Sequence, residues 1–409
     1  YVRWTEQRNF EAILELLSNG TLDFKKLISH RFSIDNAIEA YDSLKDSKAL
    51  GILIDYPSNG ITALKNNRLS LVKDELSASS LSKDNPRIGF IGAGNYASRT
   101  LIPSFKRSGA YLDTLISIGG SSALHHGKKN GFASVGSDLD HLLKEESINT
   151  IVIATRHNEH ANQVIKGLEA KKNIFVEKPL ALKIEEVEQI HEQYMRTNSN
   201  SSEDSSRLMI GFNRRFSPHI EKMKNLMDRK SDLKTVLMTI NAGSVPKDHW
   251  IHDPSIGGGM ILGEGCHFID LARFLIGSRI IDFNVSKSID PRLKNNSSMN
   301  SVINLIFEDG SLCVINYYTN GGNVFQKERV EVFSGNSTLQ MNNYRSLVGF
   351  GWDGFKRYST LMQDKGQNNC VNSFIKSIKE GRPSPIPYSE IIETSKIAIE
   401  VAKELSNSK

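Results

Sequence analysis

The stretch that most constrains the fold is Arg87-Ile88-Gly89-Phe90-Ile91-Gly92-Ala93-Gly94-Asn95-Tyr96-Ala97, a short apolar run passing straight into Gly-x-Gly-x-x-Ala. Gly92 suits a tight turn after a strand, Gly94 lets backbone approach a pyrophosphate, and Ala97 lets the following helix lie close to a sheet. Asn95 and Tyr96 open that helix, whose unpaired N–H groups and dipole both favour anions. The motif alone is weak, but its context is the required one. A strand precedes it, a helix carrying Leu101, Ile102 and Phe105 follows, and a second strand is expected at Leu115–Ile118. The pattern therefore predicts an α/β unit with a doubly wound parallel sheet that binds a dinucleotide.

In such units the second strand ends in an acid that takes the ribose 2′-hydroxyl. Here it ends in Gly119-Gly120-Ser121-Ser122, with His125, His126, Lys128 and Lys129 behind. Hydroxyls, Ser121 included, and cations without an acid suit a 2′-phosphate, although the same charges also fit a solvated helix face. The cofactor expected is NAD or NADP, with a slight lean to NADP.

Two further strand ends carry chemistry. The β-branched run Thr150–Ala154 delivers Thr155-Arg156-His157-Asn158-Glu159-His160 to the carboxyl edge that faces ligand in open α/β sheets. Thr155 and His160 are therefore candidate cofactor-binding residues, His160 being equally suited to orient a helix over Ala161–Ala170. No carboxylate or cysteine completes a metal set with these histidines, and no metal is expected. The strand Asn173–Val176 then ends in Glu177-Lys178-Pro179. A lysine held at a strand end, its approach fixed by proline, is poorly explained by packing. Glu177 and Lys178 join the cofactor-facing set, with bracing of the turn as the other role for Glu177.

These three turns, in this order and spacing, resemble the Gfo/Idh/MocA oxidoreductases from about Arg87 to the end of the chain. The resemblance implies a Rossmann domain followed by an α+β domain with a large, mostly antiparallel open sheet, and an active site in the cleft between them. It implies NAD(P)-dependent hydride transfer at a secondary hydroxyl of a sugar, cyclitol or nucleotide sugar, and a homo-oligomer formed through the sheet domain. It also implies that Lys178 meets an aspartate and a histidine separated by three residues on a later helix. The histidine falls on His267. The aspartate's position falls on Gly263, and its neighbour Glu264 is the one nearby acid. Either Glu264 substitutes, or Lys178 and His267 work without a carboxylate. A non-catalytic NAD(P)-binding sensor or scaffold is the alternative to an enzyme. By helical spacing Glu264, His267, Asp270 and Leu271 share one face. Leu208–Pro218 matches the family's crossing between domains, where Arg214 and Arg215 either face the site or form structural ion pairs.

The rest sets the organisation. Residues 1–57 read as helix, short extended piece at Lys26–Ile28, a second helix capped by Ser33, and a strand over Gly51–Tyr56. Arg3-Trp4-Thr5-Glu6-Gln7-Arg8-Asn9 and Ser29-His30-Arg31-Phe32 resemble the carboxy-terminal end of medium-chain alcohol dehydrogenases, without their zinc region. Residues 58–86 read as a linker, 87–208 as the dinucleotide domain, 209–385 as the sheet domain and 386–409 as a final helix. A polar loop is expected over Asn198–Ser206, and a loop by the cleft or at an oligomer contact over Trp352–Lys365. The net charge of +5 is spread in mixed-sign runs, which argues against nucleic acid, and three cysteines are too few for a disulfide framework. No apolar run reaches membrane-spanning length, so no membrane partner and a reducing cytoplasm are expected. The chain opens on Tyr1 in mid-pattern, and residues upstream are expected.

Overall fold

The computed structural model describes residues 5–56, 68–71, 85–118, 120–199, 205–246, 248–288 and 300–407. The chain forms two compact units, Tyr1–Asn67 and Arg68–Lys409.

In the first unit the helix Glu6–Ser18 starts at Thr5, whose hydroxyl accepts from the Arg8 N–H at 3.2 Å. Strands Ile28–Ser33 and Gly51–Asp55 pair in parallel. Two expectations shift. The strand runs on to Ser33, preceded by a tight turn over Lys25–Leu27. Ser33 makes no capping bond, because Ile34–Asn36 forms another tight turn before the helix Ala37–Asp42 begins. Among its described apolar side chains only Ala40 is fully buried, and Phe10, Ile38 and Tyr41 are exposed. Residues 1–4, part of the alcohol-dehydrogenase-like pattern, lie outside the described residues.

The second unit is built on two sheets. The first has seven strands in the order Arg68–Ser70, Ser134–Gly136, Tyr111–Ile116, Arg87–Ile91, Thr150–Ile153, Asn173–Val176 and Leu208–Ile210. All neighbours are parallel except the first pair. Strand order reverses between Arg87–Ile91 and Thr150–Ile153, the switch point where open α/β sheets bind ligands. Buried on both faces, the central strands are mostly apolar; Phe90, Phe105, Phe175 and Phe374 stack edge to face through the core at 5.4–6.0 Å. Arg68–Ser70 belongs to this sheet, so the stretch 58–86 is not linker throughout; residues 57–67 and 72–84 lie outside the described residues. Leu208–Ile210 likewise moves the end of the dinucleotide domain past 208.

The second sheet has eight strands in the order Ile280–Lys287, Ser301–Phe307, Leu312–Tyr318, Thr235–Asn241, Glu328–Ser334, Ser337–Asn342, Ser346–Phe350 and Arg357–Ser359. Only Thr235–Asn241 with Leu312–Tyr318 is a parallel pair. Alternation sends Val236, Met238, Ile240, Ile303, Leu305 and Phe307 to the buried face. Part of Trp352–Lys365 is thus the edge strand Arg357–Ser359. Asn198–Ser206 is closed at its ends by Asn198, whose side chain bonds Ser206 N–H at 2.8 Å; residues 200–204 lie outside the described residues.

Arg214 and Arg215 sit at the crossing between sheets. Both form buried ion pairs: Arg214 with Glu328 at 2.9 Å, and Arg215 with Asp270 at 2.5 Å and Glu390 at 2.8 Å. Arg215→Ala would leave Asp270 uncompensated in the core, at a cost of about 3–5 kcal/mol. Chemical denaturation should therefore show a large loss for Arg215→Ala and a small one for Lys376→Ala, whose 3.9 Å pair with Glu380 is exposed.

Candidate active site

Three strand ends meet at the carboxyl edge of the parallel sheet. Gly92 closes the first turn at φ +101, its N–H donating to Ile116 O at 2.9 Å. A Cβ there would lie 2.4 Å from Ala154 O, so no other residue fits between the two strand ends. Gly94 differs: a Cβ would meet nothing within 4 Å. No protein atom requires glycine there, and Gly94, Asn95 and Tyr96 form an exposed rim open to a ligand. Ala97 is buried against the sheet and starts a π-helical turn, Ala97–Leu101, that runs into the helix Ile102–Arg107. Ser121 stands at the exposed start of the helix Ser121–Asn130, with no acid between Ser117 and Ser122.

The second strand end begins a helix at His157, earlier than Ala161. Thr155 donates to Gln163 at 2.8 Å. His160 is wholly buried, its Nδ1 2.7 Å from Pro179 O and its Nε2 3.3 Å from Thr155 O. Burial lowers its pKa to about 4, so the ring is neutral and carries one N–H. The shorter contact places that N–H on Nδ1, donating to Pro179. His160 therefore does not face a cofactor; it ties the Thr155 turn to the Lys178 turn. His157, lowered to about 3 mainly by burial, pairs its Nδ1 with Gly257 O at 2.8 Å and packs against Trp250. No group of three His, Cys, Asp or Glu among the described residues could hold a metal.

The third strand end separates its two charged residues. Glu177 is buried against Gly211, where a Cβ would come within 2.6 Å of its carboxylate. It braces the turn rather than facing a cofactor. Lys178 is partly exposed, precedes Pro179 by a cis bond, and donates its ammonium to the Gly263 carbonyl.

The helix bearing that carbonyl does not present the expected single face. It opens with a π-helical turn, Ile261–Gly265, before the α-helix Cys266–Ile276, which rotates Glu264 away from the α-helical register. Glu264 accepts from Tyr317 at 2.9 Å and pairs with Lys327 at 2.8 Å and Arg214 at 3.6 Å. Burial pushes its pKa up, but Lys327 and Arg214 hold it net below the usual value. It does not contact Lys178, so it does not stand in for the aspartate. An aspartate at Gly263 would need the end of the Ile251 side chain to shift, since a Cβ would lie 2.4 Å from Ile251 Cδ1. Asp270 is committed to Arg215.

His267 is buried beside Phe212, and its Nδ1 has no hydrogen-bond partner. Burial first, then Arg214, Lys178, Lys365 and Lys327, holds it well below the usual histidine range. It is neutral and able to accept a proton. Lys327, Lys365 and Tyr317 were not visible as site residues in the sequence; each lies in or beside a sheet-domain strand or loop without a motif.

Two family models match the chain. One, an oxidoreductase family with an NAD-binding Rossmann fold, covers residues 86–201; the other, the GFO/IDH/MocA C-terminal domain, covers 229–338. Both ranges lie in the second unit. The myo-inositol 2-dehydrogenase of Thermotoga maritima is 24% identical over 269 residues, 63% of this chain and 78% of that protein. The scyllo-inositol 2-dehydrogenase (NAD(+)) of Bacillus subtilis is 30% identical over 172 residues, 41% of this chain and 46% of that protein. Levoglucosan dehydrogenase in complex with NADH and levoglucosan superposes with a TM-score of 0.67 at 19% identity, covering 79% of this chain and 98% of that one. That likeness shows the fold.

Burial raises the Glu177 carboxyl from 4.5 to about 7. The folded chain then holds a proton that the unfolded chain releases. The resulting stability is present below about 4.5 and lost as pH rises through about 7. Glu177→Gln should gain on the parent protein by on the order of 2 kcal/mol between about pH 5 and about pH 8. Denaturant titrations across that range check this; a pH-independent difference would refute the buried-acid assignment.

Proposed function

The chain belongs to the Gfo/Idh/MocA oxidoreductase family, and on that premise we propose that it transfers a hydride between NAD(P) and a secondary hydroxyl of a sugar, cyclitol or nucleotide sugar. The observation carrying this reading is a partly exposed lysine, fixed at the strand-end edge by a backbone carbonyl, with a neutral histidine inside its field. The inositol dehydrogenases among the relatives, named for a cyclitol hydroxyl, support the substrate class.

The open rim at Gly94 fits a dinucleotide: it leaves a glycine-sized approach that no protein atom fills. NAD(P), when bound, supplies the hydride acceptor. The chain's own residues do the remainder. Gly263 O takes one of the three donors of Lys178, leaving two for the substrate oxygen. Being neutral, that carbonyl orients the ammonium without cancelling its charge, so Lys178 acts at full strength on a developing alkoxide. His267, unprotonated at rest, accepts the hydroxyl proton as Lys178 stabilises the alkoxide that forms. In the reverse direction the protonated imidazole returns that proton. The missing aspartate is one argument for a non-catalytic sensor, the alcohol-dehydrogenase-like remnant being the other; the Gly263 carbonyl supplies an orienting contact to Lys178 in the aspartate's stead, which favours the enzyme.

The acid-free strand end before Ser121 supports NADP over NAD. The reading extends to a cytoplasmic homo-oligomer formed through the open sheet face, where Leu312, Phe333 and Phe350 are exposed. Lys178→Met and His267→Gln should each lower kcat by roughly 10²–10⁴-fold while cofactor fluorescence titrations stay near the parent value. Substrate-dependent reduction of cofactor that persists in Lys178→Met at the parent rate would sink the assignment. NADPH should bind more tightly than NADH, and Ser121→Asp should reverse the order; an unchanged order in the variant would remove the cofactor argument.

A further inference from the structure

We propose that the site takes an anionic sugar, one carrying a carboxylate or phosphate on the sugar itself, in preference to a neutral polyol. This rests on the reading of the cleft as a sugar dehydrogenase site.

Positive charge outnumbers negative among the side chains around His267. Lys178 touches only the neutral Gly263 carbonyl and makes no ion pair among the described residues. The next residue, Glu264, is shared between Lys327 at 2.8 Å and Arg214 at 3.6 Å. Arg214 also grips Glu328 through two bonds of 2.9 and 3.0 Å, and Lys365 reaches the same carboxylate at 2.6 Å. Three cations thus share two carboxylates, and Lys178 adds a fourth positive charge with no carboxylate of its own, around one neutral histidine. Other acids nearby do not redress the balance. Asp270 is already paired with Arg215, and Glu177 is buried against Gly211 with its carboxyl raised to about 7.

Surplus positive charge in a cleft walled by protein is unfavourable until an anion enters, and it draws one in. Its landing point follows from exposure. Arg214 and Lys365 have side chains only 6% and 17% exposed, whereas Lys327 is 39% exposed and Lys178 is also open. An incoming carboxylate or phosphate meets Lys327 and Lys178 first. His267 Nδ1, buried with no partner, is a second unmet polar atom in the same cluster, and a sugar hydroxyl would satisfy it. An aspartate at 263 would have consumed one of the surplus charges; the glycine there supplies none, and the Ile251 side chain fills the space beside it.

The test compares matched ligands on the full chain loaded with cofactor: galactose, galacturonate and galactose 6-phosphate, with the corresponding glucose series. Calorimetry reads binding and cofactor absorbance reads turnover. At least one acidic member should bind about tenfold or more tightly than its neutral parent, with a preference that weakens as salt is added. Lys327→Met should shrink that ratio toward one. The carboxylate and phosphate arms distinguish which anion is recognised. Neutral sugars binding as tightly as both acids, no binding by any acid, or Lys327→Met weakening acidic and neutral ligands by the same factor would each overturn the proposal. Selective binding of an acid without turnover would leave the charge argument standing and defeat the dehydrogenase reading for these sugars. Equal turnover of neutral and acidic members would do the reverse.

Discussion

Arg214 and Arg215 stand side by side where the chain leaves the parallel sheet, both buried, and a guanidinium out of water is tolerable only with a carboxylate against it. That requirement locates two separate elements. Glu328 brings the strand Glu328–Ser334 to Arg214, and Asp270 brings the helix Cys266–Ile276 to Arg215. Once these are fixed, the carbonyl of Gly263 and the ring of His267 have set positions relative to the Lys178 turn. The geometry of the cleft thus depends on two buried ion pairs.

Much of the first sheet was legible because its signals are local. Gly92 is demanded by a clash with Ala154 O, and the strand Asn173–Val176 ends where its apolar run does. The roles of the side chains that follow those strands were less so. His160 reads as a ligand by position, yet its one N–H is committed to the Pro179 carbonyl, and only the tertiary approach of Pro179 reveals that. Glu177 and Lys178 are neighbours with opposite fates, one sealed in and one open, because successive residues at a strand end point to opposite faces. Both arginines form the buried ion pairs that were one of their two expected roles, and Arg214 also reaches Glu264 beside the site.

Glu264 shows where counting fails. Its distance in sequence from His267 is that of helical neighbours, but the wide turn Ile261–Gly265 separates their directions. Its partners Lys327, Tyr317 and Arg214 come from parts of the sheet domain that no motif links to it. A charge network assembled from four distant segments leaves no trace in any one of them.

Both helices that open onto the cleft begin with a π-helical turn, Ala97–Leu101 on one side and Ile261–Gly265 on the other. Such a turn stores one more residue than an α-turn does in the same rise. Position in an alignment and direction in space are therefore separate coordinates here. Residues ahead of each turn can be re-aimed by a single-residue deletion without disturbing the helix behind it. The cleft thus has two swivels through which a lineage could exchange the groups facing its substrate while leaving the buried ion pairs in place.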